Sequence, residues 1–480
     1  MLIGKLKKSL NNTLVSGIFY TAIARYTGVI FLFFVSLILT RLIPPKDFGA
    51  ISLVMIFINF FSQITIMGIS PAIVQIQDLT EQDVETYYTL TYIIAIVISV
   101  FVFVLSPVMA SVYKNDILKI LVWISVIHIF FALINTVPNA LALRNKDFKF
   151  IAIRTVIIQC LTGIASVVAA FSGCGIYSLL ISPVVGSVII FFITLKKYYI
   201  KFSLTLQISS LKKIFSFSIF QIMFNICVLL YNSISRPLLG YYGGFTVLGY
   251  YDKAYFLIQF FIENISQVVT PVLHPVLAEH QNDNDYIYNY YIKLIKIISY
   301  PAFFISGVLF IFSKETVILV LGRQWVPSID LFRIFSCLIG ILIIQSLVGA
   351  IFQAKNKTNY LFIASFIALM ISVISYIPAI IYFSAKLFVM ITTAVAFITF
   401  GIYHTYLFKT FNKSIKPFVR CIMSAVAINI AMICSALLID KLMEGNHAFL
   451  ILAAKIILIL LFLSASTVWY VKKYKAGELK

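Results

Sequence analysis

Arg25 and Arg236 each stand within a stretch apolar enough to cross a lipid bilayer. A guanidinium stays protonated in a protein, and placing one in hydrocarbon costs from about 3 to more than about 10 kcal/mol. Such a side chain either reaches back to the interface or lines a protected polar cavity, where it meets an anion. Neutral hydrogen-bonding groups recur nearby. Gln221, Asn225, Asn232 and Arg236 follow one another at spacings of four, seven and four, which predicts a shared face of one helix. Gln259, Glu263 and Gln267 form an i, i+4, i+8 row with Asn264 beside it, while Asn59 with Gln63 and His128 with Asn135 add two smaller groups. Polarity is thus concentrated on a subset of the apolar runs, as a central cavity requires.

Each group also has a purely structural reading. Amides in membrane helices bond neighbouring helices for about 0.6 kcal/mol and at most about 2, and that role is open to Asn59, Gln63 and Asn135. Glu263 is either the partner of a buried arginine or a carrier of protons or ions. His128, alone on an apolar helix, is a candidate for ion coupling or a hydrogen-bonded core residue. Arg236 lies near the outer end of its span and precedes Pro237, so snorkelling to the interface competes with a cavity role. Arg25 stands about twelve residues into its span, beyond comfortable snorkelling. Arg154 and Lys455 lie nearer span ends, and Lys253 and Arg333 are expected at the interface.

The elements that must position these residues follow from composition. Of 480 residues, 61% are hydrophobic and 11% charged, with a mean hydropathy of +1.03. A soluble domain carries about 25% charged residues, so the chain is read as an all-α polytopic membrane protein. Its net charge of +20 would suggest nucleic acid in a soluble protein. Here most Lys and Arg occupy short loops between apolar runs, where they orient helices, so no nucleic-acid partner is expected. Five of the six cysteines fall within apolar runs, without CxxC or Cys/His ligand spacing, so no disulfide framework or metal site is indicated. The lysines Lys5, Lys7 and Lys8 before an apolar run imitate a secretory signal, but the run is too long and is read as an uncleaved first span.

With about 20 residues per span, about 14 helices are expected. The first eight run near 13–40, 48–75, 87–112, 117–137, 150–171, 175–195, 214–239 and 246–273. The remaining six run near 289–312, 328–353, 358–382, 387–408, 417–439 and 448–471. Inside loops then hold roughly 23 Lys and Arg against roughly 8 outside, which places both termini in the cytoplasm. The longest polar stretch divides the chain into an N-terminal lobe (1–195), a cytoplasmic linker (196–213), a C-terminal lobe (214–408) and an appended helix pair with a cytoplasmic tail (409–480). Asp47-Phe48-Gly49-Ala50 and Val247-Leu248-Gly249-Tyr250 form a faint echo between the lobes, of the kind left by parallel repeats. Prolines in or near the spans, among them Pro71, Pro107, Pro183 and Pro301, supply bends.

Several runs resemble landmarks of polysaccharide exporters. Arg41 to Gly49 (RLIPPKDFG) is similar to their RLLSPEDFG segment after the first helix. Leu239-Gly240 through Leu248-Gly249-Tyr250-Tyr251, with Ala254-Tyr255, is similar to their LG…LGYY..AY segment. Pro271 to Gln281, Pro301 and Gly322-Arg323-Gln324-Trp325 follow in the same order and spacing. The chain thus resembles the Wzx-type, colanic-acid-exporter-like branch of the multidrug/oligosaccharidyl-lipid/polysaccharide (MOP) superfamily, from about residue 10 to 410. That resemblance implies two six-helix lobes around a central cavity plus two C-terminal helices. It further implies an inner-membrane flippase that moves an undecaprenyl-diphosphate-linked O-antigen, capsule or exopolysaccharide repeat unit by alternating access. One departure stands out: relatives often carry an Asp-Lys pair where Ser235-Arg236 stand here, so the cation is kept without its acidic neighbour.

A polyprenyl diphosphate sugar suits the polar residues. Cations neutralise its head, and Asn and Gln bond its sugars. Membrane lipids surround the protein, and a polysaccharide polymerase and chain-length regulator are the expected partners. No cofactor is expected and no nucleotide-binding motif is present, so any energy coupling falls to a Na+ or H+ gradient. The rival functions are a cation-coupled multidrug exporter, which favours acidic cavity groups, and a glycan polymerase, disfavoured by loops that nowhere reach about 30 residues.

Overall fold

In hydrocarbon a peptide N–H or C=O finds no water, so a long apolar run closes its hydrogen bonds within itself and becomes a helix. The computed structural model describes residues 13–76, 78–203, 207, 219–278, 280–281, 283–355, 357–443 and 448–475, and among these there are helices and no strands. The N-terminal helices are α1 (Thr13–Leu42), α2 (Pro45–Gln75), α3 (Glu81–Val112), α4 (Ile117–Ile134), α5 (Thr136–Arg144), α6 (Phe148–Phe171) and α7 (Ser178–Lys197). Then come α8 (Ile219–Ser233), α9 (Ser235–Ala278), α10 (Asn284–Ile311), α11 (Ser313–Val320), α12 (Ile329–Ser336) and α13 (Ile339–Ala354). The last are α14 (Thr358–Ser375), α15 (Ile377–Ile381), α16 (Ala385–Phe411), α17 (Lys416–Leu442) and α18 (Ala448–Lys475).

Among the described residues nine stretches are long and apolar enough to cross a membrane. A tenth is a broken span, Arg323–Ser336 with Ile339–Ala354, bent by 53°. The polytopic helical fold is therefore as expected, but the form of two central spans is not. The seventh stops at Ser233, because Pro237 has no N–H to give the Ser233 carbonyl and the helix is interrupted at Ile234. The eighth begins early, as part of the 44-residue α9, which is broken at Gly244 (φ 74°, ψ 173°). The break between the third and fourth spans falls where the short polar run Tyr113 to Asp116 puts it, with Lys114 in the left-handed region (φ 50°).

The chain folds as two compact units. One comprises Met1–Leu229 and Arg236–Gly249; the other comprises Leu230–Ser235 and Tyr250–Lys480. In the first, α1 packs along α6, with Gly163 of α6 against Phe31 and Val35 of α1. Arg144 at the end of α5 donates to the carbonyls of Ile73 (2.6 Å) and Ile76 (2.5 Å), setting a cation on the C-terminal end of α2. Thr80 and Asp83 form a reciprocal capping box that starts α3. In the second unit, α10 packs on α13 and α17, with Gly340 against Phe303 and Gly307 against Asn429 and Met432. Hydroxyls of Ser106, Ser125, Thr162 and Ser365 donate to carbonyls three or four residues back, so each is satisfied without water.

A very close backbone crossing in the first unit joins the start of α2 to the stretch 245–249 of α9. A Cβ on Gly49 would lie 1.8 Å from the Phe245 carbonyl oxygen, and one on Gly249 would lie 2.0 Å from that of Pro45. Both obstacles are backbone, which cannot swing aside, so only glycine permits this approach. Gly49→Ala and Gly249→Ala are each expected to lower stability by about 1–3 kcal/mol or more. Gly349→Ala, where an added Cβ meets nothing within 4 Å, is the matched control. Thermal unfolding in detergent checks this: equal melting temperatures for all three variants would show that the crossing is not tight.

Candidate functional site

The helices place the sequence-selected residues unevenly. The backbone of Arg25 lies in α1, one turn before Gly28, but its side chain is outside the described residues. Gly28 itself packs on α6 so closely that a Cβ there would lie 2.4 Å from Gln159 Oε1. Asn59 is exposed and Gln63 half-buried on α2, one turn apart. Gln221 and Gln267 have side chains outside the described residues. Asn225 is half-buried and Asn232 exposed on α8.

The row that was to continue from Asn232 to Arg236 is interrupted. The turn at Ile234 lies between them, so the four-residue spacing no longer guarantees a common face, and Arg236 belongs to the short first segment of α9. Arg236 is half-buried there. Its neighbour Ser235 is buried and accepts a hydrogen bond from Tyr251 Oη at 2.9 Å. Ser235 and the tyrosine that holds it both belong to the second unit.

Glu263 has a definite partner: Gln259 Nε2 donates to its Oε1 at 3.1 Å, across one turn of an exposed helical face. Asn264 beside it donates to the Phe260 carbonyl at 2.7 Å. His128 is half-buried, and its Nδ1 lies 2.8 Å from the Pro183 carbonyl oxygen. A carbonyl only accepts, so Nδ1 carries the hydrogen and Nε2 of the neutral ring is left as an acceptor. That geometry is the hydrogen-bonded core histidine of the structural reading, with one nitrogen still able to take a proton. Lys455 pairs with Asp440 at 2.7 Å, tying α18 to α17. Among the described residues no group of three or more His, Cys, Asp or Glu could hold a metal ion.

Two polar arrangements have no strong sequence signal. In the second unit, partly buried hydroxyls form a short chain and, apart from it, a pair. Tyr251 and Tyr376 both reach Thr392 (3.2 and 2.8 Å), and Tyr231 reaches Thr399 (3.4 Å). Tyrosine and threonine blend into apolar runs, so only their packing reveals them. Close by, His404 Nδ1 lies 2.8 Å from the Phe400 carbonyl and Nε2 2.9 Å from Tyr291 Oη, which fixes its tautomer with Tyr291 as donor. In the first unit Arg154 is 7% exposed. It donates to Thr194 Oγ1 of α7 and, at 3.0 Å, to Asn139 Oδ1 of α5, while its guanidinium lies 5.5 Å from the Phe150 ring centre. An arginine expected only to lie nearer a span end is thus one of the most buried cations described.

Comparison with known proteins places this architecture. Residues 38–330 match the family of polysaccharide biosynthesis proteins. The chain is 24% identical over 389 residues to a membrane protein of the cps region of Klebsiella pneumoniae, covering 79% of this chain and 78% of that one. It is 25% identical over 365 residues to the lipopolysaccharide biosynthesis protein WzxC of Escherichia coli K12, covering 74% and 72%. Among solved structures, the lipid II flippase MurJ in an inward closed conformation superposes with a TM-score of 0.75 at 16% identity, over 94% of this chain and 99% of that one. An inward-facing MATE-family multidrug transporter of the MOP superfamily superposes with a TM-score of 0.64 at 14% identity, over 81% and 96%. The chain is a polytopic membrane protein that belongs to the polysaccharide biosynthesis protein family and has the fold shared by MurJ and the MATE transporters of the MOP superfamily.

Proposed function

We propose that the protein flips an undecaprenyl-diphosphate-linked oligosaccharide, a repeat unit of O-antigen, capsule or exopolysaccharide, from the inner to the outer leaflet of the bacterial inner membrane. The observation that carries this reading is the family match over residues 38–330 in a chain with the fold of a lipid II flippase. Lipid II, like the proposed cargo, is a polyprenyl diphosphate bearing sugars. The protein acts as a transporter and not as an enzyme, working by alternating access between two lobes, 1–195 and 214–408. Both termini face the cytoplasm, as the loop charges favour.

The cargo's diphosphate meets Arg25 near mid-membrane and Arg236 nearer the outer face. Gln221, Asn225, Asn232, Gln259, Asn59 and Gln63 bond its sugars. Glu263, already paired with Gln259, and His128, with Nε2 left as acceptor, are the groups available to a H+ or Na+ gradient. Partner proteins are a polymerase and a chain-length regulator.

Likeness to MATE transporters favours a second reading, a cation-coupled multidrug exporter. Such a protein would need an acidic cavity, whereas the candidate residues are two arginines, one glutamate, one histidine and neutral amides.

Deletion of the gene is expected to accumulate undecaprenyl-linked repeat units in the inner leaflet; exported but unpolymerised units would contradict a flippase. Arg25→Ala is expected to insert normally and to cut export about ten- to a hundredfold, the worth of about 1.5–3 kcal/mol for a hydrogen bond to a charged group. Arg25→Lys should retain part of the activity. Full complementation by the alanine variant at normal expression would remove Arg25 from the cargo path. A reporter that works only in the cytoplasm should be active when fused after Lys480, and inactivity there would reverse the topology.

A further inference from the structure

Between the start of α6 and the end of α7 lies a cavity of about 410 Å³, wholly within the first unit. Its charge comes from Arg154, Lys149, Lys197 and Asp147. Lys197 pairs with Asp147, which also accepts from Tyr198 Oη at 2.9 Å. Burial by itself would raise the Asp147 carboxyl, but the hydrogen bonds from Lys197 and Tyr198 hold it below the ordinary carboxylate value. It therefore stays ionised, and the wall carries three cations against one anion.

Arg154 sets this cavity apart. Its hydrogen-bond partners among the described residues, Thr194 and Asn139, are neutral, and its buried Nε has none. A guanidinium cannot discharge by losing a proton, so a buried one without a carboxylate is a site prepared for an anion. Planar guanidinium donors suit phosphate oxygens, and two lysine ammonium groups nearby add charge without fixed geometry.

The apolar part of the ligand is indicated by the rest of α6. Ile153, Ile157, Leu161, Ile164 and Val168 are 45–58% exposed and share one face that begins in the cavity wall. From Ile153 to Val168 that face runs about 22 Å at about 1.5 Å per residue. One leaflet of hydrocarbon is about 15 Å deep, half of a ~30 Å core. A lipid tail starting at the cavity can therefore lie along α6 for the whole leaflet. The loop charges put this end of α6 on the cytoplasmic side, where anionic lipids are enriched.

We infer that the α6–α7 cavity binds an anionic membrane phospholipid, its phosphate held by Arg154, Lys149 and Lys197 and one tail lying along the exposed face of α6. A cavity of this size admits a small phosphoryl headgroup, whereas an oligosaccharide would have to leave it. The bound lipid joins α5, α6 and α7 through the one arginine that already touches all three. This site needs no transport to be detected, so its test stands apart from the flippase reading.

The test is native mass spectrometry of the purified full-length protein, titrated with phosphatidylglycerol or phosphatidylcholine of matched chains. Wild type should prefer phosphatidylglycerol by about tenfold or more. Arg154→Gln should abolish that preference. Lys149→Gln, at the exposed mouth, should reduce it about threefold while leaving thermal stability in lipid-free detergent unchanged, and so keeps the test informative if the buried variant misfolds. Equal binding of the two lipids, or a preference untouched by Lys149→Gln, overturns the site. Displacement of phosphatidylglycerol by inorganic phosphate alone would make it a phosphate site without a lipid. Preferential uptake of undecaprenyl phosphate would assign it to a polyprenyl carrier instead, and either result overturns the phospholipid.

Discussion

A charge or a peptide group in hydrocarbon has no water to fall back on, and the helices and many of the polar contacts of this chain answer to that constraint. The backbone answers it by folding into helices. Hydroxyls such as those of Ser106, Ser125, Thr162 and Ser365 answer it by bonding to carbonyls in the preceding turn. Cations answer it in several ways: Lys455 finds Asp440, Arg144 finds the carbonyl end of α2, and Arg154 finds only neutral oxygens. What distinguishes the last is that it is only 7% exposed while its buried Nε has no partner among the described residues, the arrangement on which the proposed anion site rests.

The constraint also explains the runs by which the chain resembles polysaccharide exporters. Gly49 closes the first of these runs and Gly249 stands in the second, two hundred residues away. The faint echo between their surroundings suggests equivalent positions in two repeats, yet the two glycines lie against each other at one crossing. Without a hydrophobic force to press helices together in lipid, close backbone approach at small residues supplies the packing energy instead. A motif that looks like a label of ancestry is, at Gly49 and Gly249, a steric requirement.

How much was legible in the sequence depended on the length scale of the signal. Spans of about twenty apolar residues are strong signals, and most helices follow them. The short polar run Tyr113 to Asp116 was the weakest of the boundary signals, yet the chain does break there. The face shared by Gln221, Asn225, Asn232 and Arg236 was a weaker inference, because helical periodicity holds only while the helix is unbroken and Pro237 lies one residue beyond the last member. The fates of individual polar groups were not legible. Whether Glu263 meets an arginine or Gln259, and whether His128 is free or bonded to the Pro183 carbonyl, depends on which helix packs alongside. Arg154 and the Tyr251–Thr392 hydroxyl chain were hidden for the same reason: their chemistry lies in contacts between elements far apart in the chain.

The flippase reading is tested most directly by reconstituting the purified protein in vesicles that hold a polyprenyl-diphosphate oligosaccharide with a fluorescent sugar, and following its exposure to a membrane-impermeant quencher. The expected result is protein-dependent movement of the labelled sugar between leaflets that is strongly reduced by Arg25→Ala. No movement above protein-free vesicles, or export of a cationic dye with the labelled lipid left in place, would contradict it.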